Sequence, residues 1–202
     1  MLRAMIFMDH QNFDISLKKY YSDKGIDSPK LDYNKMFVDI LKSNSRFRSK
    51  TILMKAMIFA SKPDSFLMKI LYHMNRYSWI KNLGLNSYTD LIEGKQVARQ
   101  SNPTVPMNPS DKSTYYTVEK GTDLNLAVHA LSKAYNNSYD IAYVMSGDTD
   151  YISLYRQLKM IGKIVILVLV EGQSQEKLQH EVDEIITLDK EFFNKCKWYN
   201  NN

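Results

Sequence analysis

Four short, strongly apolar runs dominate the chain: "RAMIFM" (3–8), "TILMKAMIFAS" (51–61), "DIAYVM" (140–145) and "KIVILVLV" (163–170). Each has the length of a strand, and segments with helical spacing lie between them. A strand with almost no polar face is buried on both sides, as in a parallel sheet covered by helices. The alternation therefore predicts an α/β fold, a three-layer α/β/α sandwich with a mostly parallel central sheet. A length of 202 residues suits one sizeable domain. We expect it to span 1–192, followed by a short tail over 193–202.

Between the apolar runs, 32–44 reads as a helix with Tyr33, Met36, Phe37, Ile40 and Leu41 on one face. Pro63 and Asp64 open a helix that runs to about Asn82 and is closed by Gly84. "LNSYTDLIE" is a weaker strand. Residues 93–113 hold three of the five prolines and predict a long loop. "YYTVEK" leads into a helix from Thr122 to about Tyr135. "YISLYRQLKMIG" is another helix, and "SQEKLQHEV" and "EIITL" give a last helix and strand.

Several function classes drop out. The single cysteine, Cys196, allows no disulfide framework within one chain and suits a reducing cytoplasm. The longest apolar run, "IVILVLV", is far short of a membrane span. Asp9 interrupts the opening "MLRAMIFMDH" too early for a signal-peptide core. The expected location is therefore inside the cell, with no membrane partner. The histidines show no zinc-type spacing, the glycines form no phosphate loop, and there is no nucleophile elbow.

Charge is uneven. Residues 41–100 carry eleven Lys and Arg against three acids, while the remainder of the chain is net acidic. The stretch, including Arg46, Arg48, Lys95 and Arg99, reads either as solvated helix faces or as a surface for a polyanion such as nucleic acid.

The carboxylates are the chemical signal. Asp9 directly follows the first strand, and "SGDTD" (146–150) places Asp148 and Asp150 where "DIAYVM" hands over to a helix. Asp123 opens the helix after "YYTVEKGT". In an open α/β sheet, ligands bind beyond the carboxyl ends of the strands. If the first strand and "DIAYVM" are neighbours, these carboxylates meet at one edge. Each also has a structural role open to it: Asp148 or Thr149 as an N-cap, Asp123 in a first helical turn, Asp9 as a cap. A cap explains one member of the 148/150 pair and leaves the other free. Close carboxylates repel unless a cation joins them, and an all-oxygen set suits Mg²⁺ or Mn²⁺ better than zinc.

"MIFMDHQNFD", "EKGTDLNLAVHAL", "YDIAYVMSGDTDYISLYRQLKMIGKIVILV" and "LQHEVDEIITLD" resemble, in order, the signature blocks of the NYN domain family, LabA-like members of the PIN-like nuclease superfamily. Residues 20–110 match only in general layout. The resemblance implies a PIN-like sandwich and Mg²⁺- or Mn²⁺-dependent nuclease activity, mostly against RNA; the sequence leaves single-stranded DNA open as a substrate. It places the family's first-strand aspartate on Asp9 and its asparagine on Asn12. Its K-G-x-D acid falls on Asp123, its last acidic pair on Asp148 and Asp150, and its turn serine on Ser146. Asp9, Asp123 and Asp148 are then expected metal ligands, and Asp150 a ligand or a group that orients water. Asn12 holds either the scissile phosphate or an Asp carboxylate. A second aspartate common in relatives is His129 here, which reads as a packing residue or one that supports a ligand, and not as a ligand itself. The basic stretch and the 93–113 loop would supply phosphate contacts, and Tyr77, Trp79 or Tyr88 would stack bases or fill the core. The rival reading is a non-catalytic PIN-like RNA- or protein-binding module. A phosphatase is disfavoured because position 11 is Gln, where such enzymes repeat the aspartate. A homodimer or a protein partner stays open.

Overall fold

The computed structural model describes residues 1–47 and 50–198, so Arg48 lies outside the described residues. Strands β1 (Leu2–Asp9), β2 (Thr51–Pro63), β3 (Thr89–Gln100), β4 (Tyr115–Lys120), β5 (Ile141–Met145), β6 (Ile164–Val170) and β7 (Glu184–Leu188) form one sheet. Its order is β4-β3-β2-β1-β5-β6-β7, parallel throughout except that β4 runs antiparallel to β3. Helices α1 (His10–Ser22), α2 (Tyr33–Ser43), α3 (Leu71–Leu83), α4 (Thr122–Tyr135), α5 (Ile152–Met160) and α6 (Lys190–Lys195) flank it. The expected α/β class with a mostly parallel sheet is what the chain forms.

The apolar runs lack a polar face because each strand feeds two cores. Alternate residues of a strand point to opposite faces. In β1, Ala4, Ile6 and Met8 join Phe13 and Leu17 of α1 and Met36 and Phe37 of α2. Met5 and Phe7 join Leu126 and Ala130 of α4 and Leu154 and Leu158 of α5. β5 and β6 divide in the same way, Ile166 and Val168 to the first core, Val165 and Leu167 to the second.

The strand order fixes the site. From β1 the chain builds outward through β2, β3 and β4; from β5 it builds the other way through β6 and β7. β1 and β5 are neighbours, with Met8 opposite Met145. The chain leaving β1 enters α1 on one face, and the chain leaving β5 enters α5 on the other. A crevice opens where the two diverge, and Asp9 and Ser146 stand on its two lips.

Four local expectations are corrected. The loop expected over 93–113 begins only after Gln100: "GKQVARQ" extends β3, with Gly94, Gln96 and Ala98 buried and Lys95 and Arg99 exposed. Its period of two was hidden because the inward residues, Gly94, Gln96 and Ala98, include no large apolar side chain to alternate with Lys95 and Arg99. The helix expected from Asp64 is a 3-10 turn (Leu67–Lys69), then α3. The Asp64 carboxylate accepts from the N–H groups of Phe66 and Leu67, and Ile70 is extended, so the helix restarts at Leu71. Residues 174–182 form turns rather than a helix, before Asp183 ties back by accepting from the Val165 N–H at 2.8 Å. The tail expected from 193 is docked as far as Trp198, whose N–H donates to the Lys30 carbonyl at 2.9 Å. Asp189 caps α6, Phe193 and Cys196 are fully buried, and Lys197 bridges to Leu31. Helix α1 also went unread, because its buried side is largely His10, Tyr20 and Tyr21 beside Phe13 and Leu17.

Candidate functional site

Asp9 is the last residue of β1 and the N-cap of α1, its Oδ1 accepting from the Asn12 N–H at 3.0 Å. It is only 5% exposed. Its other oxygen, Oδ2, faces the Ser146 hydroxyl and the Tyr151 hydroxyl, each at 3.4 Å. Burial pushes the Asp9 carboxyl above the usual carboxylate range, and the neighbouring charges of Asp123 and Asp148 push it further. The Asn12 N–H and the Ser146 hydroxyl act in the opposite direction.

Across the crevice, "SGDTD" forms a tight turn. The Asp148 N–H donates to Ser146 Oγ at 3.2 Å, and Asp148 Oδ1 accepts from the Asp150 N–H at 2.9 Å. Asp148 is thus the N-cap of the 3-10 turn Thr149–Tyr151 that leads into α5. Thr149 and Asp150 are exposed. The capping role weighed for Asp148 or Thr149 falls to Asp148, through one of its two oxygens.

Asn12 ties the two lips together. Its Oδ1 accepts from the Gly147 N–H at 2.9 Å and from Gln173 Nε2 at 3.1 Å. Gln173 Oε1 in turn accepts from the Val170 N–H at the end of β6. Gly147 does not occupy the left-handed region; a Cβ there would collide with the Gln173 amide. A larger residue there would displace that amide from its hydrogen bonds to Asn12 and Val170.

Asp123 stands in the first turn of α4, where Gly121 (φ +81°) starts the helix in a left-handed conformation favoured by glycine. Asp123 Oδ1 accepts from the Tyr151 hydroxyl at 2.9 Å. Tyr151 is 2% exposed, and burial together with Asp9 and Asp123 drives its phenol far above the ordinary tyrosine range. Asp123, Asp150 and Tyr151 also line an open groove of about 330 Å³ between α4 and α5, walled by Leu124, Ala127 and Leu154.

The structure therefore brings Asp9, Asn12, Asp123, Ser146, Asp148 and Asp150 to one crevice. Arg46 is not brought there: it follows α2 and precedes β2, at the amino edge of the sheet, with its guanidinium 5.2 Å from the Phe47 ring. Lys95 and Arg99 lie near the carboxyl end of β3, on the site's side. Trp79 packs on His10 and Tyr33, Tyr77 bonds to Glu93, and Tyr88 precedes β3 at the amino edge. His129 packs on Phe59, as a packing residue would.

Three residues went unrecognised in the sequence. Tyr151 follows the acidic turn directly, but nothing in its spacing marks a hydroxyl aimed back at two aspartates. Gln173 joins through a turn far along the chain. Glu119, on β4, is pushed above the usual range by burial and by Asp9, against its hydrogen bond with Ser61. It lies just ahead of the K-G-x-D block, and only the β3–β4 pairing brings it toward the crevice.

Among the described residues no three His, Cys, Asp or Glu side chains form a ready-made metal cluster. The donor chemistry nevertheless fits a hard divalent ion. The Asp9, Asp123 and Asp148 carboxylates and the Ser146 and Tyr151 hydroxyls are oxygen donors, and Asp9 carries a buried charge that Asp123 and Asp148 make costlier, a strain a cation relieves.

No helix of the described residues is long and apolar enough to cross a membrane. No curated protein matches the chain. Among solved structures, a protein of unknown function from Vibrio parahaemolyticus RIMD 2210633 is similar in fold, at 15% identity and a TM-score of 0.53 over 98% of this chain and 96% of that one. The NYN domain model matches residues 3–189. With nearly the whole length matched, the chain belongs to the NYN domain family, a PIN-like nuclease family.

Proposed function

We propose that the chain is a metal-dependent nuclease that hydrolyses phosphodiester bonds, with RNA as its substrate, at the crevice between β1 and β5. The observation that carries this reading is the buried Asp9 carboxylate, held at the switch point within the field of Asp123 and Asp148. A buried carboxylate among like charges is an unfavourable arrangement for folding and a favourable one for binding a cation.

A bound Mg²⁺ or Mn²⁺ supplies a water of lowered pKa and offsets charge on the leaving oxygen. Asp9, Asp123 and Asp148 would hold the ion. Asp150, exposed at the mouth, would hold it or orient water. Asn12 acts through geometry: its oxygen is committed to Gly147 and Gln173, so it sets the turn that presents Asp148 and does not grip phosphate with that atom. Ser146 braces the same turn and shares Asp9.

Two observations favour a second reading, a binding module without turnover. No ready-made cluster is present among the described residues, and one Asp148 oxygen caps a helical turn. The deciding experiment is incubation of the purified protein with pooled cellular RNA, with and without Mn²⁺, followed by end mapping. Discrete Mn²⁺-dependent ends support the nuclease. Intact RNA that is nevertheless retained by the protein supports the binder.

A further inference from the structure

Three lysines lie side by side across three strands. Lys62 of β2 is in register with Lys95 of β3, and Lys95 is in register with Lys120 of β4. All three are exposed. Adjacent strands are about 4.8 Å apart, so three like charges are stacked at close range, an arrangement that disfavours the sheet. None of the three makes an ion pair among the described residues, whereas Lys55 of the same β2 strand pairs with Asp90.

The row continues along the β3–β4 ribbon. Residues two apart share a face, so Val97 opposite Val118, and then Arg99 opposite Tyr116, follow Lys95 and Lys120 on one side. Arg99 is exposed and makes no ion pair among the described residues, and Tyr116 is 55% exposed. Lys95 and Arg99 are four residue steps apart along the strand, about 13 Å. One ribbon face thus carries a basic row, an apolar step, and a cation beside an open aromatic ring. At its other end Lys120 closes β4 three residues before Asp123 in the chain.

We propose that this face, Lys62–Lys95–Lys120 with Arg99 and Tyr116, is the track that carries a single-stranded nucleic acid to the crevice. The inference rests on the nuclease reading only for what the bound strand is used for. The lysines meet backbone phosphates, whose charge offsets the repulsion within the row. Tyr116 offers a face on which an unpaired base stacks, which a duplex cannot supply. Lysines on an edge strand also discourage sheet-to-sheet aggregation, but that role needs charge only on β4, and the row reaches inward to β2.

The test is fluorescence anisotropy of a short labelled RNA in EDTA, as a single strand and as a duplex, across a salt series. The proteins are wild type, Lys62→Gln/Lys95→Gln/Lys120→Gln, Tyr116→Ala, and a control of equal charge change at the amino edge, Lys42→Gln/Arg46→Gln/Lys50→Gln. The row variant is expected to bind the single strand about ten-fold more weakly or worse. It should also flatten the salt slope by about 2, since each phosphate contact to a single strand contributes roughly 0.7. The control should stay within about two-fold, and Tyr116→Ala should weaken the single strand more than the duplex. An unchanged slope in the row variant, above all with new self-association in sedimentation, overturns the track and makes the row an edge guard. A wild-type preference for duplex overturns it as well. Salt-dependent binding without Mn²⁺-dependent cleavage would sink the nuclease and leave the track, whereas cleavage with an unchanged slope would sink the track alone.

Discussion

The Tyr151 hydroxyl donates to Asp123 Oδ1 at 2.9 Å while standing 3.4 Å from Asp9 Oδ2, so one buried phenol spans two carboxylates from different elements. Asp9 ends β1 and is buried, whereas Asp123 is exposed in the first turn of α4, so the phenol stands between a desolvated and a solvated like charge. Tyr151 does for the crevice, weakly and without net charge, what a cation would do strongly.

Tyr151→Phe removes that donor and keeps the ring that packs in the α4–α5 core. In EDTA the variant should lose about 1–3 kcal/mol, the cost of withdrawing a hydrogen bond from a charged acceptor. With Mn²⁺ present the loss should shrink, because the ion compensates the same carboxylates. Urea unfolding in both buffers checks this. An equal loss with and without Mn²⁺ would mean that the phenol and the ion serve different places.

Gly147→Ala should destabilise the protein by about 1–3 kcal/mol through overpacking, since the new methyl meets the Gln173 amide. The cause is steric, so Gln173→Ala in the same chain should return part of the loss. Gln173→Ala alone gives up its hydrogen bonds to Asn12 and Val170 and should be destabilising on its own. Simple additivity of the two substitutions in unfolding free energy would place the collision elsewhere.

A third expectation concerns pH. The Asp9 carboxyl is raised above its unfolded value of 3.8, first by burial and then by Asp123 and Asp148. The native state therefore holds this proton more tightly than the unfolded chain does, and ionising Asp9 disfavours the fold. That penalty is absent below the unfolded value, grows as pH rises through the folded one, and stays constant above it. Asn caps a helix about as well as Asp, so in EDTA at pH 7 Asp9→Asn should have a higher urea midpoint than wild type, the gap closing as pH falls toward 3.8. Mn²⁺ should then raise the melting temperature of wild type and do so less in the variant. A variant less stable than wild type at pH 7 in EDTA would show that Asp9 is held by its hydrogen bonds and is not strained by its neighbours.

How much of this was legible follows from where each signal resides. The sheet could be read because β1, β5 and β6 are apolar on both faces, and the crevice because Asp9 and Asp148 each sit directly after a strand. The end of β3 could not, since its inward residues, Gly94, Gln96 and Ala98, are small or polar and give no apolar alternation against Lys95 and Arg99. The turns at 174–182 mimic a helix by spacing Leu178 and Val182 four apart, though both are buried without one. Tyr151 and Gln173 were invisible for a deeper reason: their roles lie in the direction of a side chain, which only the assembled crevice defines. Arg46 and Lys95 looked alike as members of one basic stretch, but strand direction sends them to opposite edges of the sheet.

The sharpest prediction concerns Asp148. Its Oδ1 caps the turn by accepting from the Asp150 N–H at 2.9 Å, and its charge adds to the field on Asp9. Asp148→Asn separates these roles, because the amide oxygen still caps while the negative charge is gone. If Asp148 is chiefly a cap, the variant should match wild type in stability, RNA affinity and cleavage. If Asp148 holds the ion of a nuclease, the variant should unfold at nearly the wild-type urea concentration and bind RNA in EDTA as wild type does. Mn²⁺-dependent cleavage should then fall by about 10²-fold or more, the scale of removing one charge-stabilising group from an active site. Asp148→Ala supplies the complementary measurement, since it loses both roles and should also lose about 1 kcal/mol of stability. We expect the second pattern, and a well-folded Asp148→Asn protein that cleaves RNA at the wild-type rate would reduce this turn to a helix cap.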